Sequence, residues 1–250
     1  MHQLKTKMIN QNLILNVYEN KTLKSKIATQ LLYGEKFKIL KKYNNCYKIK
    51  CSYDRYIGYI SKKKYPLNAE PTHKISVLKA RLYSKPNKKF IINKHLSFGS
   101  YIEVIDNKSG FYKFNKYWVK KENVLKFNDK IKLFDKIKIF KNIKYKWGGN
   151  SYKGIDCSAL VQVFYKFNNK YCPRDTKDQI KFFKKKNPIS KNMKKNSLIF
   201  WKGHVAICLS STYLIHAYGP KKKVIIMNVN TTIKEIKSNA KLKVRFITDE

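Results

Sequence analysis

The chain has 250 residues, enough for two or three small domains with modest cores. With 43% hydrophobic and 14% aromatic residues, its composition is not that of a disordered polypeptide. Lys and Arg outnumber Asp and Glu by 56 to 15, a formal net charge of +41, and such a field attracts any polyanion. Yet only Arg55, Arg81, Arg174 and Arg245 carry the guanidinium fork that reads phosphates and base edges. The lysine runs at 62–64, 184–186 and 221–223 are scattered, so the charge reads as a solvated surface without a specific nucleic-acid partner.

The N-terminal stretch from Met1 through His2 to Lys7 leads into no apolar signal-like run, and no segment reaches membrane-spanning length. Cys46, Cys51, Cys157, Cys172 and Cys208 form an odd set without disulfide-framework spacing. That suits a reducing compartment, and the expected location is the cytoplasm. Cys46 and Cys51 have no second Cys/His pair at ligand spacing, so neither a metal site nor a cofactor is expected.

The first half of the chain repeats itself. Tyr18, Gly34, Phe37, Ile39, Tyr47 and Ile49 recur as Tyr83, Gly99, Ile102, Val104, Tyr112 and Phe114. Tyr59-Ile60 then answers Trp118-Val119 after a slip in register. Short alternating segments broken by Gly and Asn turns predict two small all-β barrels, residues 1–66 and 67–127, with a seam from Pro66 through Asn68 and Glu70 to Pro71. Residues 128–250 change character. Leu133, Phe134, Ile137 and Phe140 at helical spacing predict a helix, and Ala159, Leu160, Val163, Phe164 and Phe167 predict a second one starting at Cys157. Strands are predicted over 198–201, 204–209, 213–217 and 224–229, which makes this third domain α+β.

Three of the nine glycines, Gly148, Gly149 and Gly154, stand just before Cys157. A thiol in the first turn of a helix meets unpaired N–H groups and the positive end of the dipole, which favour thiolate, and glycines let the backbone turn and expose the sulfur. A nucleophile needs a base and the base an orienting partner. His2 sits at a terminus and His73 and His95 fall in the repeats, leaving His204 and His216. If Ser210-Ser211-Thr212 form the loop, these two share a sheet face diagonally; a two-residue loop would put them on opposite faces. The reading is Cys157 as nucleophile, His204 as base and His216 as orienter. The bland alternative, a buried structural cysteine with two core histidines, does not explain the Gly-Asp-Cys-Ser setting.

These residues carry a resemblance. Tyr145-Lys-Trp147-Gly-Gly-Asn-Ser151-x-x-Gly154-Ile-Asp156-Cys157-Ser158-Ala-Leu160, Gly203-His204-Val-Ala-Ile and Ile215-His216-Ala217 resemble the NlpC/P60 cysteine peptidases. Residues 29–35 and 54–60 resemble segments of bacterial SH3 (SH3b) domains, and Pro173-Arg174-Asp175 also looks like members that carry them. The resemblance implies two SH3b-like barrels followed by a papain-like α+β domain. It also implies hydrolysis of the γ-D-glutamyl–L-diamino acid bond of peptidoglycan stem peptides, in cell-wall peptide recycling. Cys157, His204 and His216 match the catalytic positions, and Tyr145 matches a tyrosine near the oxyanion. Asp156 and Ser158 match residues that bind the peptide's N-terminal end. In similar enzymes the first SH3b domain restricts the cleft to short peptides with a free amine; here Tyr56 and Glu35 are the candidates for that contact. The expected partner is a wall-derived peptide with a free N-terminal L-Ala, and the expected state is a monomer. Ala159 and Ser197 depart from residues common in the family.

Tyr145 could merely pack, Asp156 could simply stabilise the start of its helix, and Trp147 and Trp201 read as core aromatics. The competing functions are a non-catalytic wall-binding protein, another Cys-His acyl hydrolase or amidase, and a basic nucleic-acid binder. The filled catalytic positions and the lack of an RNA-stacking motif count against the first and last.

Overall fold

The computed structural model describes residues 7–67, 70–186 and 193–248; the expectations for residues 1–6, His2 among them, and for Asn68 lie outside it. The chain divides into two compact units. One comprises Met1–Lys130 with Asn150–Tyr152 and Phe167–Asn169, and the other comprises Ile131–Gly149, Lys153–Lys166 and Lys170–Glu250.

The first unit is all antiparallel β. A six-stranded sheet runs in the order Met8–Ile9, Lys36–Lys42, Cys46–Cys51, Ile57–Ser61, Ile14–Tyr18, Ile27–Leu32. Its strands alternate as period-two side chains require, so Leu15 and Val17 turn inward with Phe37, Ile49 and Ile60. A second pair of sheets packs its own core. Tyr101–Ile102, His73–Ile75 and Val124–Lys126 form three strands. Asp106–Lys108, Phe111–Phe114, Tyr117–Lys120, Lys79–Tyr83 and Ile91–Ser97 form five. Ile75, Leu82, Leu96, Phe114 and Val119 fill the space between them. The sequence repeat is visible in the pairing: Tyr18 lies opposite Tyr59, and its counterpart Tyr83 lies opposite Trp118.

The second unit carries a five-stranded antiparallel sheet in the order Lys223–Asn228, Tyr213–Tyr218, His204–Cys208, Leu198–Trp201, Phe246–Thr248. Three helices accompany it: α1 (Cys157–Phe167), α2 (Thr176–Lys186) and α3 (Val229–Ala240). The apolar stripe of α1 understates its burial, since every residue of the helix is buried. The four predicted strands and α1 start within a residue of their predicted positions. The helix predicted from Leu133 to Phe140 does not form. Phe134 adopts φ 62°, which ends any right-handed turn, and only Ile137–Phe140 make a 3-10 turn. The same three-residue spacing serves a 3-10 turn. Phe134 and Phe140 use it to set their rings edge-on against Phe164 of α1, 5.7 and 5.9 Å between centroids. At Asn228 the predicted strand gives way to α3, because the Asn228 side chain accepts from the Thr231 N–H and caps the helix.

Gly34 shows why its turn needs glycine. Its φ is +82°, and a Cβ there would stand 2.2 Å from the Tyr101 carbonyl oxygen. Its N–H donates to the Asn10 carbonyl, while Tyr101 N–H donates to the Tyr33 carbonyl next door. Gly34→Ala therefore combines left-handed strain with overpacking and should destabilise the first unit by at least about 2 kcal/mol. Denaturation midpoints of variant and parent check this.

Candidate active site

α1 begins at Cys157, and the residue before it organises the surroundings. Asp156 Oδ1 accepts from the Ala159 N–H at 2.9 Å, a helix-capping contact, and from the Ser158 hydroxyl at 3.2 Å. Its Oδ2 accepts from the Gly148 N–H at 2.9 Å. Arg174 closes the group with a bidentate fork, Nη1 to Oδ1 at 3.0 Å and Nη2 to Oδ2 at 2.6 Å, and also donates to Ser158 Oγ at 3.0 Å. The carboxylate is thus fully engaged as a cap and ion-pair partner. The glycines allow this close folding: a Cβ on Gly149 would meet the Gly154 carbonyl oxygen at 2.5 Å.

The sulfur of Cys157 is 6% exposed as a residue and lies against the backbone on either side of His204. Sγ is 3.9 Å from the Gly203 carbonyl oxygen and 4.0 Å from Thr176 Oγ1, and the Val205 backbone also bonds to it. Burial, with Asp156 adding to it, pushes the thiol up to about 11. The sequence predicts that the helix N-terminus favours the thiolate; burial and the neighbouring carboxylate act in the opposite direction and raise the thiol.

His204 opens its strand after the tight Lys202-Gly203 turn, with Trp201 directly opposite. Ile207 faces Ile215 and Cys208 faces Leu214. This is the register of the three-residue loop, so His204 and His216 share a face on a diagonal. His204 Nε2 is 2.9 Å from His216 Nδ1, and the Tyr218 ring stacks on His216 at 4.6 Å. Burial pushes His204 down to about 4; burial and then His204 push His216 down to about 2. The other face of His216 is close to a sulfur, with Nε2 3.3 Å from Met227 Sδ.

Tyr145 belongs to the same neighbourhood. Its hydroxyl titrates higher than usual through burial and through the charges of Cys157 and Asp156. Trp147 is 60% exposed, whereas Trp201 is in the core, so only one of the two tryptophans is the core aromatic expected. Glu35 and Tyr56 lie in the first unit. Glu35 accepts from the Leu32 N–H at 2.6 Å, and Tyr56 packs on the core around Leu15 while its N–H donates to Asp54. Their assignment to substrate rests on the resemblance alone. No group of His, Cys, Asp and Glu among the described residues could hold a metal. The sequence reading missed the roles of Arg174, Thr176 and Met227. Arg174 left one signal, as one of four arginines among 56 basic residues.

A cysteine at a helix N-terminus, an imidazole whose Nδ1 is uncommitted among the described contacts and a second imidazole behind it are the groups that a thiol hydrolase site calls for. Residues 142–240 match the NlpC/P60 family profile, and residues 17–64 match the bacterial dipeptidyl-peptidase Sh3 domain. The chain thus carries an NlpC/P60 domain behind a bacterial SH3 domain, which supports a hydrolase acting on peptide bonds. It is 40% identical over 73 residues to dipeptidyl-peptidase 6 of Lysinibacillus sphaericus, a match spanning 29% of this chain and 27% of that protein. It is 26% identical over 236 residues to the gamma-D-glutamyl-L-lysine dipeptidyl-peptidase of Bacillus subtilis (strain 168), covering 84% of this chain and 78% of that one. A crystal structure of an NlpC/P60 family protein from Bacillus cereus ATCC 10987 shares the fold, with TM-score 0.80, 20% identity and coverage of 97% and 99% of the two chains.

Two expectations follow. Removing the fork in Arg174→Met leaves Asp156 buried and uncompensated, which should cost about 3–5 kcal/mol in unfolding experiments. Second, both imidazoles are neutral when folded, with values of about 4 and 2 against an ordinary 6.5. Their contribution is complete above the ordinary value. As pH falls from about 6.5 through about 4 the unfolded chain takes up protons that the folded one refuses, so stability drops. Melting temperatures measured across that window should fall, and less steeply in His216→Asn.

Proposed function

We propose that the chain is a cysteine peptidase that hydrolyses the γ-D-glutamyl–L-diamino acid bond of peptidoglycan stem peptides. The observation that carries this reading is that the Cys157 sulfur lies against the carbonyl of Gly203, the residue before His204, while His204 Nε2 is 2.9 Å from His216 Nδ1. The relationship to a gamma-D-glutamyl-L-lysine dipeptidyl-peptidase over most of both chains supports the choice of bond. His204 Nδ1 takes the thiol proton as Cys157 Sγ attacks the γ-carbonyl carbon. The proton then passes to the leaving amine, and water cleaves the resulting thioester with His204 again as base. His216 orients His204, and Tyr145 stabilises the developing oxyanion. Asp156 and Ser158 bind the amine end of the peptide. Both Asp156 oxygens are already engaged, so a substrate ammonium replaces one of those donors rather than adding to them.

Residues 1–66 and 67–127 are two SH3b-like barrels, supported by the matching Tyr18–Tyr59 and Tyr83–Trp118 pairs, and residues 128–250 are the papain-like domain. The substrate is a wall-derived peptide with a free N-terminal L-Ala, met in cytoplasmic recycling. Five cysteines that are all buried and free support a reducing compartment. All three catalytic positions come from one chain, so a monomer suffices. No helix among the described residues is long and apolar enough to cross a membrane.

The test is mass spectrometry of L-Ala-γ-D-Glu-L-Lys after incubation with the protein. Release of L-Ala-γ-D-Glu and lysine is expected, with a lower kcat/KM for the N-acetylated peptide. Cys157→Ala should lose turnover by several orders of magnitude while keeping its melting temperature. An intact tripeptide, or an active alanine variant, refutes the proposal.

A further inference from the structure

On the side of His216 away from His204 lies the thioether of Met227. We propose that Met227 is a positioning residue: it holds the proton of His216 on Nε2 and thereby leaves Nδ1 of His204 free to act as the base. The inference rests on the catalytic roles proposed above for His204 and His216.

The backbone prepares the contact. On the strand next to that of His216, Met227 faces Leu214 and Ile225 faces His216. Met227 is therefore diagonal to His216, just as His216 is diagonal to His204, and the three side chains cross three consecutive strands on one face. An unbranched methionine has the length to reach along such a diagonal. Its sulfur comes within 3.3 Å of His216 Nε2, and His216 Nδ1 is 2.9 Å from His204 Nε2.

The order of protons follows from what each atom can do. A thioether sulfur has lone pairs and no proton, so it only accepts. His216 is 0% exposed, so its ring has no bulk solvent to turn to. An Nε2 that close to sulfur is satisfied as N–H donor; as an acceptor it would set lone pair against lone pair. A neutral imidazole has one ring proton, and with that proton on Nε2, His216 Nδ1 is an acceptor. The hydrogen in the 2.9 Å contact then belongs to His204 Nε2. His204 has spent its one proton, and its Nδ1 carries the lone pair that can take the Cys157 proton. The reverse order, with His216 Nδ1–H donating to His204, would leave His204 protonated on Nδ1 and without a base for the thiol. Burial holds both rings neutral, so double protonation does not blur the order. When the Cys157 proton arrives at Nδ1, the His204 Nε2–H bond to His216 becomes charge-assisted and stronger.

The test uses protein labelled with nitrogen-15 histidine, whose ring spectra distinguish the two tautomers without substrate. The wild type should show His216 protonated on Nε2 and His204 on Nε2. Met227→Leu keeps the volume but removes the acceptor, so His216 should become a mixture of tautomers. On the tripeptide its kcat should fall about tenfold, the scale of one hydrogen bond, with KM unchanged. Met227→Gln, whose amide oxygen accepts, should recover part of the loss. A wild-type His216 protonated on Nδ1 overturns the inference, and so does Met227→Leu with the wild-type tautomer, whatever its kcat. The expected spectra in a chain that cleaves no stem peptide would support the proton order while removing the peptidase reading.

Discussion

An ionised carboxylate in a protein interior persists only where donors replace its lost water. Asp156 meets that demand with Arg174, Ser158 and the N–H groups of Gly148 and Ala159, and the geometry around Cys157 hangs on the result. The Ala159 contact starts α1 and so places Cys157 at its first position. The Gly148 contact draws the glycine segment over the helix end. Arg174 ties in the stretch leading to α2, whose first residue, Thr176, stands beside the Cys157 sulfur. One buried ion pair thus brings three separate stretches of chain together around one thiol. Replacing such a pair by apolar groups preserves packing in some proteins, but here the carboxylate is also the helix cap.

The imidazoles are positioned by different physics. No charge fixes them; the sheet register does. The length of the 210–212 loop sets which residues share a face, and the flanking rings of Trp201 and Tyr218 confine the planes of the two histidines. Cys157 therefore depends on electrostatics within a buried cluster and the histidine pair on strand pairing. The two meet where Gly203 and Val205 bring their backbone to the sulfur.

Much of this was legible in the chain itself, for identifiable reasons. Strand alternation and the repeat of Tyr, Gly and aromatic positions are local signals, and the corresponding strands pair as their spacing implies. Cys157, His204 and His216 could be singled out because histidines are few and the glycine cluster is unusual in so lysine-rich a sequence. The segment around Phe134 was misread because i, i+3 apolar spacing does not separate an α-helix from turns whose rings are drawn to a neighbouring helix. α2 and α3 were not foreseen: α2 is lysine-rich with little apolar pattern, and α3 follows its strand without a linker. The tasks of Arg174 and Met227 are long-range. Nothing near either residue in sequence announces the carboxylate or the imidazole it meets.

The covering of Cys157 has a chemical consequence beyond turnover. Peroxides attack thiolates at accessible sites, and the steps from sulfenic to sulfinic acid follow the same dependence. Cys157, 6% exposed as a residue and with its thiol raised by burial, offers little to such oxidants. The fold thereby shields this sulfur by burial alone.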